Sequence, residues 1–108
     1  MTVNDVVKIP QLEVVNLEED RPVESVFTCD LLSVCMAKAP MDGAWVTVMG
    51  NRNVIAVAAL ADVSCVIVAE GCHFDEDAVE AARGKVTLLR SELPVFETAC
   101  LVHQGLQW

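Results

Sequence analysis

Strand-like and helix-like segments alternate through the second half of the chain, and this alternation restricts the fold more than any other feature. Residues 64–68 form a continuous apolar run, the pattern of a parallel strand with both faces covered. Strands are predicted at residues 11–16, 23–28, 44–49, 64–68 and 85–89. Helices are predicted after Thr2, after Asp30 and at residues 53–61, 75–83 and 92–104. The pattern predicts a single small α/β domain over residues 1–108, with a mostly parallel sheet and flanking helices.

Local signals predict where several helices begin and end. Thr2 and Asp5 have the spacing of a helix N-cap and its partner. Asp30 is predicted to cap the second helix and Ser91 the last one, because their short polar side chains accept from free backbone N–H groups. Gly105 is predicted to end the last helix.

Composition excludes several classes of function. The 108 residues are 54% hydrophobic and carry a net charge of −9, so the chain folds but repels nucleic acid and anionic membranes. No apolar run reaches the roughly 18 residues of a membrane helix. The N-terminus lacks the basic start and apolar middle of a signal peptide. We therefore expect a cytoplasmic protein with no membrane or nucleic-acid partner.

Five cysteines at irregular spacing include no Cys-x-x-Cys pair, which argues against a zinc or iron–sulfur site. We expect buried, reduced thiols and neither metal nor cofactor. Cys72 and His73 suggest a thiol–imidazole pair, but neighbouring side chains usually point apart. The acids at 75–77 offer carboxylates for a cation, yet the start of an exposed helix is usually a solvated face. No hydrolase, P-loop or dinucleotide motif is present.

The turn Gly50, Asn51 and Arg52 is the most informative candidate site. It joins a predicted strand to a predicted helix, the place where open α/β sheets bind ligands. Backbone N–H groups and the Arg52 guanidinium favour an anion such as a phosphate or carboxylate. In the alternative reading, Gly50 only permits a tight turn and Arg52 pairs with one of the many acids.

Short motifs along most of the chain resemble the DRTGG domain family, most clearly over residues 26–100. They are DLLS at 30–33, WVT at 45–47, GNR at 50–52, AEG at 69–71 and PVFE at 94–97. The resemblance implies a small α/β module, similar in fold to the N-terminal domain of HPr kinase and often attached to CBS domains. It also implies nucleotide-responsive regulation and dimerisation.

The sequence departs from the residues that name this family. Asn51 stands where an Asp is usual, and Ala69 and Glu70 replace the Thr and the first Gly, leaving Gly71. Glu70 and Gly71 are predicted to face Arg52 across the anion site. Glu70 therefore adds a negative charge beside that site.

Together these observations predict a non-enzymatic regulatory or ligand-sensing module that binds a small anion or nucleotide. The alternative is a partner protein that docks on a larger redox or metabolic complex through an apolar face. We also expect a homodimer, because a small domain this hydrophobic leaves apolar surface outside its core. Trp108 is predicted to contribute to that interface; a loose chain end is the alternative.

Overall fold

A five-stranded sheet forms the centre of the protein, and helices cover both of its faces. The computed structural model describes residues 1–106; Trp108 and its predicted role in an interface lie outside them. The strands are β1 (Leu12–Asn16), β2 (Ser25–Thr28), β3 (Gly43–Thr47), β4 (Cys65–Val68) and β5 (Thr87–Ser91). The helices are α1 (Val3–Val7), α2 (Leu32–Lys38), α3 (Arg52–Ala61), α4 (Glu76–Ala82) and α5 (Val95–Leu106).

The strand order is β1-β5-β4-β3-β2. Strands β2 to β5 are parallel neighbours, joined in turn by α2, α3 and α4. Strand β1 is antiparallel to β5 and carries a register shift between Val14 and Asn16. The prediction of one α/β domain with a mostly parallel sheet and flanking helices is confirmed.

Alternate residues of the central strands build two separate cores. Trp45, Val66 and Leu88 face the layer of α2, α3 and α4. The next residue along each strand points to the opposite face, because side chains alternate along a strand. These residues pack with α1 and α5, and they are Val46, Ile67 and Leu89. All six are fully buried, which explains why these strands read as continuous apolar runs.

The predicted cap at Asp30 is wrong. The N-cap of α2 is Leu31, whose side chain accepts no hydrogen bond. The Asp30 carboxylate instead accepts from the Thr47 hydroxyl at 2.7 Å and from the Val48 backbone N–H at 2.9 Å. The Asp30 carboxylate binds these donors at the end of β3 instead of the free N–H groups of α2. Asp30 therefore links the ends of β2 and β3.

The predicted limits of α5 are also wrong. Ser91 is the last residue of β5, and its hydroxyl accepts from the Leu93 N–H at 3.0 Å instead of capping the helix. The helix starts at Val95, and β5 lies two residues later than predicted. Gly105 lies within α5, where a side chain would collide with Met1. The helix therefore continues through Gly105 to Leu106 instead of ending at the predicted position.

The start of α1 agrees with the sequence. The Asp5 carboxylate accepts from the Thr2 backbone N–H at 2.9 Å. This bond lowers the pKa of Asp5.

Arg21 joins two turns at the end of the sheet where β3 and β4 begin. Asp30 lies at the other end of the strands. The Arg21 guanidinium pairs with Asp42 at 2.6 Å and with Asp62 at 2.8 Å. Both bonds raise the pKa of Arg21. Both aspartates have a φ of 59°, a left-handed conformation that Asp tolerates better than most residues. No helix within residues 1–106 is long and apolar enough to cross a membrane.

Candidate anion-binding site

The two segments predicted to form the site leave the sheet at the same edge. Strands β3 and β4 are parallel neighbours, so the turn after β3 and the loop after β4 emerge side by side. The turn contains Gly50 and Asn51, and the loop runs over residues 69–75. The topology therefore brings the predicted segments to one edge.

Gly50 is in direct backbone contact with this loop. The Asp75 N–H donates to the Gly50 carbonyl at 2.8 Å. A Cβ on Gly50 would collide with the His73 carbonyl oxygen and would lie 2.9 Å from the Phe74 Cα. Glycine is required here for close approach between two chain segments, and the backbone of the turn is covered on this side.

Asn51 is the N-cap of α3. Its side-chain oxygen accepts from the Val54 N–H at 3.2 Å, which satisfies one of the free donors at the start of the helix. The residue that departs from the family pattern therefore has a structural role. Its side-chain oxygen is engaged within the protein.

Arg52 is the first residue of α3, and its side chain is exposed. It lines a groove of about 180 Å³ between α3 and α4, which Lys85 also lines. Within residues 1–106, neither Arg52 nor Lys85 forms an ion pair or a side-chain hydrogen bond. The alternative in which Arg52 pairs with an acid is not what the structure shows.

Glu70 and Gly71 form hydrogen bonds with the segment that joins β5 to α5. Their φ angles are 61° and 71°, and the Cys72 N–H closes the turn on the Ala69 carbonyl at 3.0 Å. Their own N–H groups donate to the carbonyls of Leu93 and Ser91, respectively. The Glu70 carboxylate accepts from the Val95 N–H at 2.9 Å, at the first turn of α5.

Arg90, which the sequence interpretation missed, fixes the other end of this loop. Its guanidinium donates to the carbonyls of Gly71 and Cys72 and pairs with Glu13 and Glu92 at 2.9 and 2.8 Å. The two carboxylates raise the pKa of Arg90, which stays charged. A basic residue that interrupts an apolar strand was the available signal, but the predicted strand ended one residue earlier.

The thiols are divided between buried and partly exposed positions. Cys35 and Cys65 are fully buried, whereas Cys29, Cys72 and Cys100 are partly exposed. The expectation of burial therefore holds for only two of the five. Burial raises the pKa of both Cys35 and Cys65 to about 12. In the described part of the chain, no three His, Cys, Asp or Glu residues are grouped so that they could hold a metal ion.

A second groove, of about 230 Å³, lies beside the edge strand β2. Strand β2 and helix α5 line it with Val26, Thr28, Phe96, Ala99, Cys100 and His103. The Phe96 side chain is 73% exposed. At the other edge of the sheet, β1 carries the charged Glu13 and a bulge, which discourage strand pairing. Only the β2 edge is both uncharged and flanked by an apolar groove within residues 1–106.

No protein-family model and no curated protein sequence matches the chain. Among solved structures, it is similar to the CBS and DRTGG domains of the regulatory region of Clostridium perfringens pyrophosphatase, complexed with the activator diadenosine tetraphosphate. The TM-score is 0.74 at 14% identity, and the match covers 95% of this chain. The chain spans 46% of the matched chain. This likeness supports a DRTGG-like fold and extends to the fold alone.

Proposed function

We propose that this protein is a non-enzymatic regulatory module of the DRTGG type that senses a small anionic ligand, nucleotide phosphates included. Arg52 carries the proposal. The chain has seven Lys and Arg residues against sixteen Asp and Glu, and Arg21, Arg83 and Arg90 are all paired with acids. A guanidinium that is exposed at a sheet edge, and that no acid among residues 1–106 neutralises, is suited to an external anion.

The other predicted site residues have supporting roles in this proposal. Gly50 and Asn51 hold the turn that presents Arg52, through the contacts with His73 and the cap of α3. Glu70 and Gly71 shape the neighbouring loop, and the Glu70 carboxylate is bonded to the Val95 N–H instead of facing the anion. The pyrophosphatase region, whose fold this chain shares, is in complex with a nucleotide activator. That complex supports a ligand of the same general class.

Two of the five thiols are unsuited to nucleophilic catalysis. A nucleophilic cysteine needs a lowered pKa or an adjacent base. The Cys35 and Cys65 thiols have raised pKa values and are closed off from solvent. Both therefore remain protonated and serve as small apolar core residues.

A thermal-shift series with orthophosphate, pyrophosphate, ADP and ATP tests the proposal. A ligand at 100 times its dissociation constant adds about 2.7 kcal/mol of stability, which is roughly 10 °C for a domain of this size. Arg52→Ala should weaken a bound anion by about 1.5–3 kcal/mol. Lys38→Ala, which removes an equal charge at the exposed end of α2, is the control. Equal affinity in wild type and Arg52→Ala would exclude the site.

The apolar groove beside β2 favours a second candidate function, docking on a partner protein. An edge strand offers unpaired backbone groups, and the exposed Phe96 provides an apolar anchor next to it. A second copy of the chain suits this surface, since a two-fold axis beside β2 would extend the sheet across a dimer. Sedimentation at micromolar concentration tests this candidate: a single species at monomer mass excludes the homodimer.

A further inference from the structure

The groove between α3 and α4 extends well beyond the turn at which Arg52 begins. Its walls are Arg52, Ile55, Ala56, Ala59, Ala81 and Lys85. Among residues 1–106, the charged residues that line it are Arg52 and Lys85, and both are basic. Helix α3 itself contains no Asp or Glu, although acids make up sixteen of the 108 residues of the chain. The two charged side chains among the walls of the groove are therefore both cations, in a protein whose net charge is −9.

The two cations come from opposite ends of the helix pair that forms this groove. Helices α3 and α4 each connect neighbouring parallel strands, so both helices run in the same direction. Arg52 begins α3, whereas Lys85 follows the end of α4 and so lies beside the second half of α3. From Arg52 to Ala59 the groove follows seven residues of helix, a length of about 10 Å.

Aliphatic side chains occupy the space between the two cations. Ile55, Ala56, Ala59 and Ala81 present methyl and methylene groups to the groove and no polar side-chain atom. At about 180 Å³, the groove is smaller than the roughly 300–1,000 Å³ of pockets that enclose a drug-sized ligand. Its size suits a short chain.

From this arrangement we infer that the groove binds a short linear dianion with an aliphatic middle, the class of the α,ω-dicarboxylates. Arg52 holds the carboxylate at one end and Lys85 the carboxylate at the other, while the methylene chain covers Ala56 and Ala59. The inference rests on the proposed function, because it uses the same Arg52. It deepens that function by naming the ligand class and by adding Lys85 to the site.

A series of dicarboxylates of increasing length, from malonate to sebacate, tests the inference at constant ionic strength. Titration calorimetry on the full chain measures each dissociation constant, with hexanoate as the monocarboxylate control. Affinity should pass through a maximum at an intermediate length, where both ends reach a cation. The best dicarboxylate should bind about tenfold or more tightly than hexanoate, because it makes a second charged contact.

Variants at each end of the groove separate the two contacts. Lys85→Met should reduce the best dicarboxylate to the affinity of hexanoate, because only the Arg52 contact remains. Ala59→Leu, at an exposed position, should fill the groove and abolish the length maximum without lowering the melting temperature. Lys38→Met, which removes a cation outside the groove, should change nothing.

The outcomes separate this inference from the function on which it rests. If orthophosphate binding depends on Arg52 but affinity is independent of chain length and of Lys85, the inference is overturned and the proposed function stands. If no anion in either series binds the wild-type protein, both are overturned.

Discussion

The Glu70 carboxylate accepts a 2.9 Å hydrogen bond from the backbone N–H of Val95, so a loop residue caps a helix 25 positions later in the chain. Glu70 holds this bond from a left-handed backbone conformation, with a φ of 61°. Non-glycine residues pay about 1–2 kcal/mol to adopt that conformation. The cap, and the bond from the Glu70 N–H to the Leu93 carbonyl, offset this strain.

Substitutions at Glu70 should therefore separate the cap from the strain. Glu70→Ala loses the cap and keeps the strained backbone, so the free energy of unfolding should fall by about 1 kcal/mol. Glu70→Gly also loses the cap but relieves the strain, and should be more stable than Glu70→Ala. Urea unfolding of the three proteins measures the difference. Equal stability of Glu70→Ala and wild type would mean that the Val95 bond contributes nothing.

Element order and fold class were accessible from the sequence because the core is built from buried strands. The runs around Trp45 and Ile67 predicted strands correctly, since a strand with both faces covered is apolar at nearly every position. The ends of elements were less accessible. Asp30 and Ser91 are good caps by propensity, but both find partners that only the folded chain brings near them.

The sequence predicted where the candidate site lies, but not the hydrogen bonds that its residues form. Parallel strand order places the turn at Gly50 and the loop at Glu70 on one edge. That Glu70 would cap α5 depends on where the last helix docks, which local sequence does not encode. The same holds for Lys85, which lines the same groove as Arg52 only through the packing of α4 on α3.

Asp30 and Thr47 should be energetically coupled across the ends of β2 and β3. The Asp30 carboxylate accepts from the buried Thr47 hydroxyl, so Asp30→Ala leaves that hydroxyl without its acceptor. We expect a loss of about 1 kcal/mol for Asp30→Ala in urea unfolding. A double-mutant cycle with Thr47→Val should give a coupling of about 0.5 kcal/mol or more. Strict additivity would show that the bond does not contribute to stability.

Gly50→Ala should destabilise the protein through a steric clash with the loop after β4. A methyl group on Gly50 meets the backbone of His73 and Phe74, which cannot move as a side chain would. The expected loss is about 1–3 kcal/mol, as for other insertions into packed regions. Gly84→Ala is the comparison, because its methyl group has free space and only its φ of 75° is unfavourable. A Gly50→Ala protein as stable as wild type would contradict the close packing.

The apolar groove beside β2 leads to a prediction about self-association. Phe96→Glu places a charge on the exposed anchor of α5, so it should shift a dimer towards monomer in sedimentation at micromolar concentration. Because Phe96 is 73% exposed, the free energy of unfolding of the monomer should change by less than about 0.5 kcal/mol. Leu60→Glu, at an 81% exposed residue on α3, is the matched control and should leave the dimer intact. A dimer that survives Phe96→Glu would place the interface elsewhere.

The buried thiol of Cys65 should make the protein sensitive to alkaline pH. Burial raises its pKa from the ordinary 9.0 to about 12, so the folded protein keeps the proton that the unfolded chain releases above pH 9. The stabilising contribution is therefore complete below pH 9 and is lost progressively as the pH rises towards 12. The unfolded chain binds fewer protons across this window, and each such thiol lowers the free energy of unfolding by about 1.4 kcal/mol per pH unit.

The variant Cys65→Ala tests this dependence directly. Its free energy of unfolding should be lower than that of wild type at pH 8, because the smaller side chain leaves a gap in the strand core. Between pH 9 and 11, however, its free energy of unfolding should decline less steeply than that of wild type. The two slopes should differ by about 1.4 kcal/mol per pH unit. Cys100→Ala, at a partly exposed thiol, controls for the loss of a cysteine as such. Parallel pH profiles for wild type and Cys65→Ala would mean that the Cys65 thiol ionises as readily in the folded protein as in the unfolded chain.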